Sequence, residues 1–427
     1  MSTAAIILIT VLLGGMLIGL PIAWAMLLSS FCAIMVEGIP IAILAQRLFT
    51  SMDSFAMLAV PLFLVAGDIM AKGSISKRLV AFAESIFGTL RGGLAVVAIV
   101  ACTIFAALTG SALATTAAIG AIMFPAMKKN MYPKPYSTAV LAIGGTLGPV
   151  IPPSTVFIFY AQTSGLSVVK LFMSGVGPGV LSCVCLSLVA VGMAVKDRLP
   201  KDEGGFSLRR AGKSFISALP ALLMPVIILG GIYSGIFTAT ESAAVAVMYG
   251  VIVSVLIFRD VKPKDMVELY MGTAKTTANL MLLIASANVF GYLVAYFNIT
   301  TLISTFFTTH AASPAIFMLI SGVLFLITGM FMEAVATVVI LVPILHPLAL
   351  SFGIDPIQYG CFMVFLLCLG IATPPFAPTL YLSSSMNETP VGAAIKKLMP
   401  FIFVQILVGV AIAVFPALST WLPNILK

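Results

Sequence analysis

Gly144-Gly-Thr-Leu-Gly-Pro-Val-Ile-Pro-Pro-Ser154 and Gly370-Ile-Ala-Thr-Pro-Pro375 carry one pattern twice. Gly-x-x-x-Pro-Pro occupies 148–153 and 370–375, at an offset of 370 − 148 = 222. Both copies sit inside apolar stretches that otherwise have the length of membrane spans. Adjacent prolines remove two backbone donors and prevent a regular helix, so carbonyls are freed in mid-span. Irregular backbone is tolerated in the hydrocarbon region only where protein buries it or where it lines a cavity. Freed carbonyls and half-helix ends are a recurrent means of holding a substrate or coupling cation near the midplane. One Pro-Pro pair alone reads better as a structural kink; its recurrence in a second half, each copy downstream of a Gly-broken hairpin, favours a binding site.

The rest of the chain sets the context. Of 427 residues, 61% are hydrophobic and 8% charged, and mean hydropathy is +1.18. A soluble globular protein has about 25% charged residues, so this chain has too few to cover a water-facing surface. It reads as one polytopic membrane domain. The net charge of +8 collects in short connecting stretches, as positive-inside topology requires, which argues against nucleic-acid binding. Cys32, Cys102, Cys183, Cys185, Cys361 and Cys368 lie in apolar runs without metal-ligand spacing, so six free thiols are expected. The N-terminal run lacks a basic n-region and a cleavage site and is expected to be a retained first span.

About 20 apolar residues cross a bilayer, which predicts spans at 4–35, 55–70, 140–161, 171–194, 215–235, 243–258, 274–296, 362–382 and 400–422. Two further apolar regions, 92–127 and 315–350, are broken near the middle, by Leu108-Thr-Gly-Ser-Ala and by Thr328-Gly-Met-Phe-Met-Glu. Each is either two full helices or a re-entrant hairpin. Lys72, Lys77, Arg78 and Arg91 precede the first region and Lys128, Lys129 and Lys134 follow it, which places both its ends on the cytoplasmic side. No Lys or Arg occurs between Lys275 and Lys396, so the second region should open outward. Thr109-Gly110 and Thr328-Gly329 are then paired, at an offset of 328 − 109 = 219. The expected organisation is an inverted repeat, 1–195 and 215–427, joined by a basic cytoplasmic linker at 196–214.

The sequence resembles the large membrane subunit of tripartite ATP-independent periplasmic (TRAP) transporters, the family of dicarboxylate and sialic acid permeases. The segments that carry the resemblance are Gly19-Leu-Pro-Ile-Ala, Arg47 through Ser54-Phe, Pro61-Leu-Phe-Leu-Val-Ala-Gly67, Leu108-Thr-Gly-Ser-Ala, Gly235-Ile-Phe-Thr-Ala-Thr-Glu241 and the two Pro-Pro stretches. It implies an all-α, elevator-type, sodium-coupled importer of an organic acid, of the sialic acid or C4-dicarboxylate class, in a bacterial inner membrane. The implied partners are a small membrane subunit, expected as a separate chain, and a periplasmic binding protein. Na+ is the coupling ion, with no cofactor and no enzymatic activity. No G-x-x-x-x-G-K-[ST] motif occurs, in keeping with transport that needs no ATP. An autonomous sodium- or proton-coupled carrier of organic anions is the alternative. A channel or an intramembrane enzyme has less behind it, since no paired catalytic constellation is present.

Hard cations take oxygen ligands, and the resemblance assigns two sodium sites. The first uses Ser111 with backbone around Gly145, Gly148, Val150 and Pro152. The second uses Gly329 with Gly370, Thr373 and Phe376. Ordinary small-residue packing is the other reading of Ser111 and Thr373. Glu333 follows the second break and is either a sodium or proton ligand or a helix cap. Glu241 reads mainly as a cap. Arg47 is the candidate for a substrate carboxylate, since guanidinium offers a bidentate fork. It could instead pair with Asp53 or Asp68, or lie at the headgroups on a short amphipathic arm. His310 and His346 are the only histidines and lie far apart in sequence, which supports no metal site.

Overall fold

The structure is a computed structural model that describes residues 2–199, 207–299 and 313–425, with Thr305 and Phe307. Nineteen α-helices and no strand occur among the described residues. His310 and the centre of the expected linker, 200–206, lie outside them. Eight helical stretches there are long and apolar enough to cross a membrane.

The N-terminal run is not one span. Helix α1 (Thr3–Leu17) ends before Gly19, whose φ of 83° is left-handed, and α2 (Ile22–Glu37) restarts after Pro21. Glycine accepts that φ without a Cβ clash, and proline suits a helix start because it has no N–H to leave unpaired. A sixteen-residue helix is roughly 24 Å long, short of a bilayer core of about 30 Å. The short arm carrying Arg47 is α3 (Ala42–Met52). Helix α4 (Ala59–Lys72) follows a single 3-10 turn. Helix α5 (Ile75–Phe87) buries Ile75, Leu79, Val80 and Ala83 and leaves Lys77 exposed.

The first broken region is a hairpin of α6 (Gly93–Thr109) and α7 (Ala112–Lys129), turning at Gly110, with φ 60°, and Ser111. Helix α6 is buried on nearly every side, as its uniformly apolar sequence demands. The predicted span at 140–161 is split into α8 (Lys134–Gly145) and α9 (Thr155–Ser164), with the first Pro-Pro stretch between them. Helix α10 (Val168–Lys196) completes the first half.

The second half begins with α11 (Leu208–Tyr233) and α12 (Ala239–Val251), which runs into a π-helical stretch. Glu241 and Thr238 cap α12 reciprocally: Glu241 N–H donates to Thr238 Oγ1 (3.2 Å) and Thr238 N–H donates to Glu241 Oε2 (2.8 Å). Helix α13 (Pro263–Tyr296) is the longest. A second hairpin, α14 (Pro314–Phe331) and α15 (Ala334–Ser351), leads to α16 (Pro356–Gly370) and α17 (Pro378–Met386) flanking the second Pro-Pro stretch. Helices α18 (Val391–Val414) and α19 (Ala417–Ile425) close the chain.

The halves keep one register. Helix α7 recurs as α15 at 334 − 112 = 222, and α8 as α16 at 356 − 134 = 222. The hairpin turns follow the same offset, because Ser111 corresponds to Glu333. The second turn therefore falls at Met332-Glu333, three residues beyond the sequence-based match of Thr109-Gly110 to Thr328-Gly329, and Gly329 is still helical. The halves also exchange elements: α9 packs on α15, and α17 packs on α7 and α8. Between α9 and α15 the buried Tyr160 hydroxyl and His346 Nδ1 lie 2.9 Å apart. Between α8 and α17, Ser383 Oγ donates to Thr138 O (2.8 Å) and Asn387 Nδ2 donates to Thr138 Oγ1 (3.0 Å). Orphaning such a buried group costs about 1–3 kcal/mol, so these pairs lock the exchange. The six cysteines are unpaired.

Candidate functional site

Each hairpin turn meets the Pro-Pro break of its own half, backbone against backbone. A methyl added to Gly148 would lie 2.5 Å from Ser111 O, and one on Gly110 would lie 2.4 Å from Pro153 O. Ser111 caps α7, its Oγ accepting from Ala114 N–H (3.4 Å). Behind it Thr109 and Thr115 hydroxyls are 3.1 Å apart. Ser154 starts α9 and donates to Pro149 O (2.5 Å). Both Pro-Pro peptide bonds are cis. The Gly145 carbonyl is occupied by Gly148 N–H (2.9 Å). Those of Gly148, Val150 and Pro152 accept no hydrogen bond among the described residues. Gly145 instead permits close packing, since a methyl there would overlap Thr116 Oγ1.

At the second break, a methyl on Gly370 would lie 2.3 Å from the carbonyl carbon of Gly329. Phe376 N–H donates to Met330 O (3.1 Å), joining the break to the hairpin. Thr373 Oγ1 donates to Leu369 O (2.9 Å), and Thr373 N–H occupies the Gly370 carbonyl (2.9 Å). The carbonyls of Gly329, Thr373 and Phe376 accept no hydrogen bond among the described residues. Glu333 caps α15, its Oε2 accepting from Ala336 N–H (3.1 Å). The capping role considered for it is thus present.

The two turns share a cavity of about 310 Å³, lined by Gly110, Ser111, Gly329, Glu333 and Phe376 together with Thr276 and Leu280 of α13. Gly145, Gly148, Val150, Pro152, Gly370 and Thr373 do not line it; Gly148 and Gly370 stand directly against the turn backbones, and the Val150 carbonyl faces Gly175 of α10. Thr276 was not singled out from sequence. Its one signal is the hydroxyl run Thr273, Thr276, Thr277 around Lys275, just before α13 turns apolar at Leu280.

Arg47 lies elsewhere. It lines a second cavity, of about 180 Å³, with Gln162 and Thr163 of α9, Asn288 and Tyr292 of α13, and Val339 of α15. Its guanidinium carbon sits 4.2 Å from the Tyr292 ring centroid, a cation–π distance. Neither aspartate pairs with it: Asp68 accepts from Thr273 Oγ1 (2.5 Å), and Asp53 is exposed. Among the described residues Arg47 has no ion-pair partner. The two cavities run along the same two helices. Thr276 and Leu280 of α13 line the first, and Ile284, Ala287, Asn288 and Gly291 line the second; α15 borders both.

Residues 9–418 match the family described as "Tripartite ATP-independent periplasmic transporter, DctM component". The chain belongs to the DctM family of TRAP transporters. As a DctM-family permease it is a multi-pass inner-membrane protein and one component of a tripartite transporter. It is 39% identical over 381 residues to the C4-dicarboxylate TRAP transporter large permease DctM of Pseudomonas aeruginosa, covering 89% of each chain. It is 38% identical to the 2,3-diketo-L-gulonate TRAP transporter large permease YiaN of Escherichia coli, covering 94% of each. To the sialic acid TRAP transporter large permease SiaM of Vibrio cholerae it is 32% identical, covering 97% of each. The crystal structure of the YdaH transporter of Alcanivorax borkumensis shares the fold of this DctM-family chain, with TM-score 0.63 over 89% of it and 90% of that chain, at 14% identity.

Proposed function

We propose that this permease is the large subunit of a sodium-coupled secondary importer of organic acids, handed its substrate by a periplasmic binding protein and working beside a small membrane subunit. The observation that carries the proposal is the meeting of both hairpin turns at one cavity facing α13, each turn packed on a Pro-Pro break with carbonyls that accept no hydrogen bond among the described residues. Unpaired carbonyls and hydroxyls are the donor set a hard monovalent cation needs. In this reading the first Na+ is held by Ser111 and the carbonyls of Gly148, Val150 and Pro152, with Gly145 permitting the close approach. The second is held by Gly329, Thr373 and Phe376, with Gly370 in the same supporting role and Glu333 supplying charge. The substrate carboxylate takes Arg47, whose charge no acid among the described residues neutralises, while Gln162 and Asn288 offer hydrogen bonds to the rest of the molecule. The relatives are named for C4-dicarboxylate, 2,3-diketo-L-gulonate and sialic acid, all organic acids, and one fixed cation suits that class. The hairpins with their broken helices then move as an elevator past α13, and the halves on either side of 196–214 have opposite orientation in the membrane.

Uptake of labelled succinate and sialic acid into proteoliposomes tests this, under an inward sodium gradient with and without the binding protein. Saturable uptake that needs both is expected. Uptake by the chain alone would make it an autonomous carrier. Arg47→Ala should abolish uptake and leave sodium-induced thermal stabilisation intact. If uptake survives, Arg47 holds no substrate.

A further inference from the structure

The transport reading leaves unused a basic pocket between α5 and α11. Its volume is about 360 Å³, and Ser74, Lys77, Arg78, Lys213, Ser214 and Ser217 line it with Ala81. The wall on α5 is one helical face, at positions 74, 77, 78 and 81, and the wall on α11 is another, at 213, 214 and 217. Arg78 is held in place without a carboxylate. Its Nε donates to Ser74 Oγ (3.2 Å), its Nη1 donates to Ser217 Oγ (2.7 Å), and its guanidinium carbon lies 3.9 Å from the Phe258 ring centroid. Among the described residues no acid lines the pocket and no ion pair engages Lys77, Arg78 or Lys213. The neighbouring acids are committed or turned away. Asp260 accepts from Ser74 N–H, Asp265 and Glu268 face Lys72, and Glu84, two turns along α5, is exposed.

Three cations and three hydroxyls, with no acid lining the pocket among the described residues and Asp260 held on the Ser74 N–H at its edge, suit a phosphate group. Position and surroundings favour a lipid as its source. The basic stretches that bound this region are those that positive-inside topology places in the cytoplasm, where anionic headgroups attract basic clusters. From the pocket rim an apolar strip runs along α11, with Phe215 43%, Ile216 70% and Leu223 39% exposed. That strip belongs to a helix long and apolar enough to cross a membrane, so it sets the pocket at the edge of the acyl region and within reach of headgroups. We propose that the pocket binds the phosphodiester of an anionic membrane phospholipid, with the acyl chains lying against Ile216 and Leu223.

The test uses the full chain, purified in detergent and delipidated, then loaded with phosphatidylglycerol carrying a photoreactive headgroup. Crosslinked peptides should map to α5 and to the start of α11. Arg78→Ala risks misfolding because Arg78 bridges two helices, so the exposed pair Lys77→Gln/Lys213→Gln is the informative variant. Each cation near an anionic lipid is worth about fivefold in affinity, so crosslinking at these peptides should fall by roughly 25-fold, while binding of phosphatidylcholine stays unchanged. Equal labelling of wild type and double variant would overturn the proposal. So would inorganic phosphate competing as well as unlabelled phosphatidylglycerol, which would make this a soluble-anion site.

Discussion

The two hairpin-and-break units share a backbone and differ in chemistry. At matched positions the first turn carries Ser111 and the second Glu333, and both cap the returning helix through its third N–H. The first break is almost wholly buried, from Gly144 to Ser154, and its restart is capped by Ser154. The second is more open: Phe376 is 53% exposed, and Ala377, at φ 34°, starts α17 without a side-chain cap. Backbone geometry is therefore set by what the repeat holds in common, glycine at the close approach and Pro-Pro beyond it. Charge and exposure differ between the units, so a cation at the second would meet a carboxylate and easier access, and one at the first a neutral, enclosed set of dipoles.

The largest effect should come from breaking what the halves share. Gly148→Ala or Gly370→Ala forces a methyl to within 2.5 or 2.3 Å of facing backbone, where nothing flexible can yield, and each should cost about 3 kcal/mol or more. Thermal unfolding of the purified protein would show it, and a melting temperature equal to wild type for either variant would mean that the close approach is dispensable. Next comes the difference between the units. Glu333→Gln keeps an acceptor for the cap but removes the charge, so sodium affinity should fall about tenfold, or about 1.4 kcal/mol, with stability little altered. Ser111→Ala should do the reverse, losing about 1 kcal/mol of cap with a smaller change in sodium affinity. Sodium titrations of thermal stability on the two variants would collapse the distinction if both responded alike. Thr373→Ala should have the smallest effect, a modest loss of sodium dependence and cooperativity in uptake, because the hydroxyl already donates to Leu369. An unchanged sodium profile would remove Thr373 from the ligand set.

Much of this was legible in the residues. The Pro-Pro pairs located both breaks, and the apolar regions at 92–127 and 315–350 located both hairpins, because proline and glycine act on the backbone locally. The register of the second hairpin was misread by three residues, since Thr328-Gly329 imitates Thr109-Gly110 while helix continues through Gly329. In an apolar helix with packed neighbours, one glycine does not force a turn. The break between α1 and α2 was missed for the converse reason, since hydropathy stays high across Gly19 and Pro21 and a window average cannot see a turn.

The sequence by itself determined that this is a membrane chain with a duplicated broken-helix pattern, and it singled out Ser111, Glu333 and Arg47 as polar groups needing an explanation. Only the tertiary structure decided that Ser111 and Glu333 are counterparts facing one cavity, that Thr276 joins them, and that Arg47 occupies a separate cavity further along α13. The exchange of α9 and α17 between the halves is the physical reason. It brings residues more than 150 positions apart into contact, and a pattern confined to neighbours along the chain cannot encode such a distance.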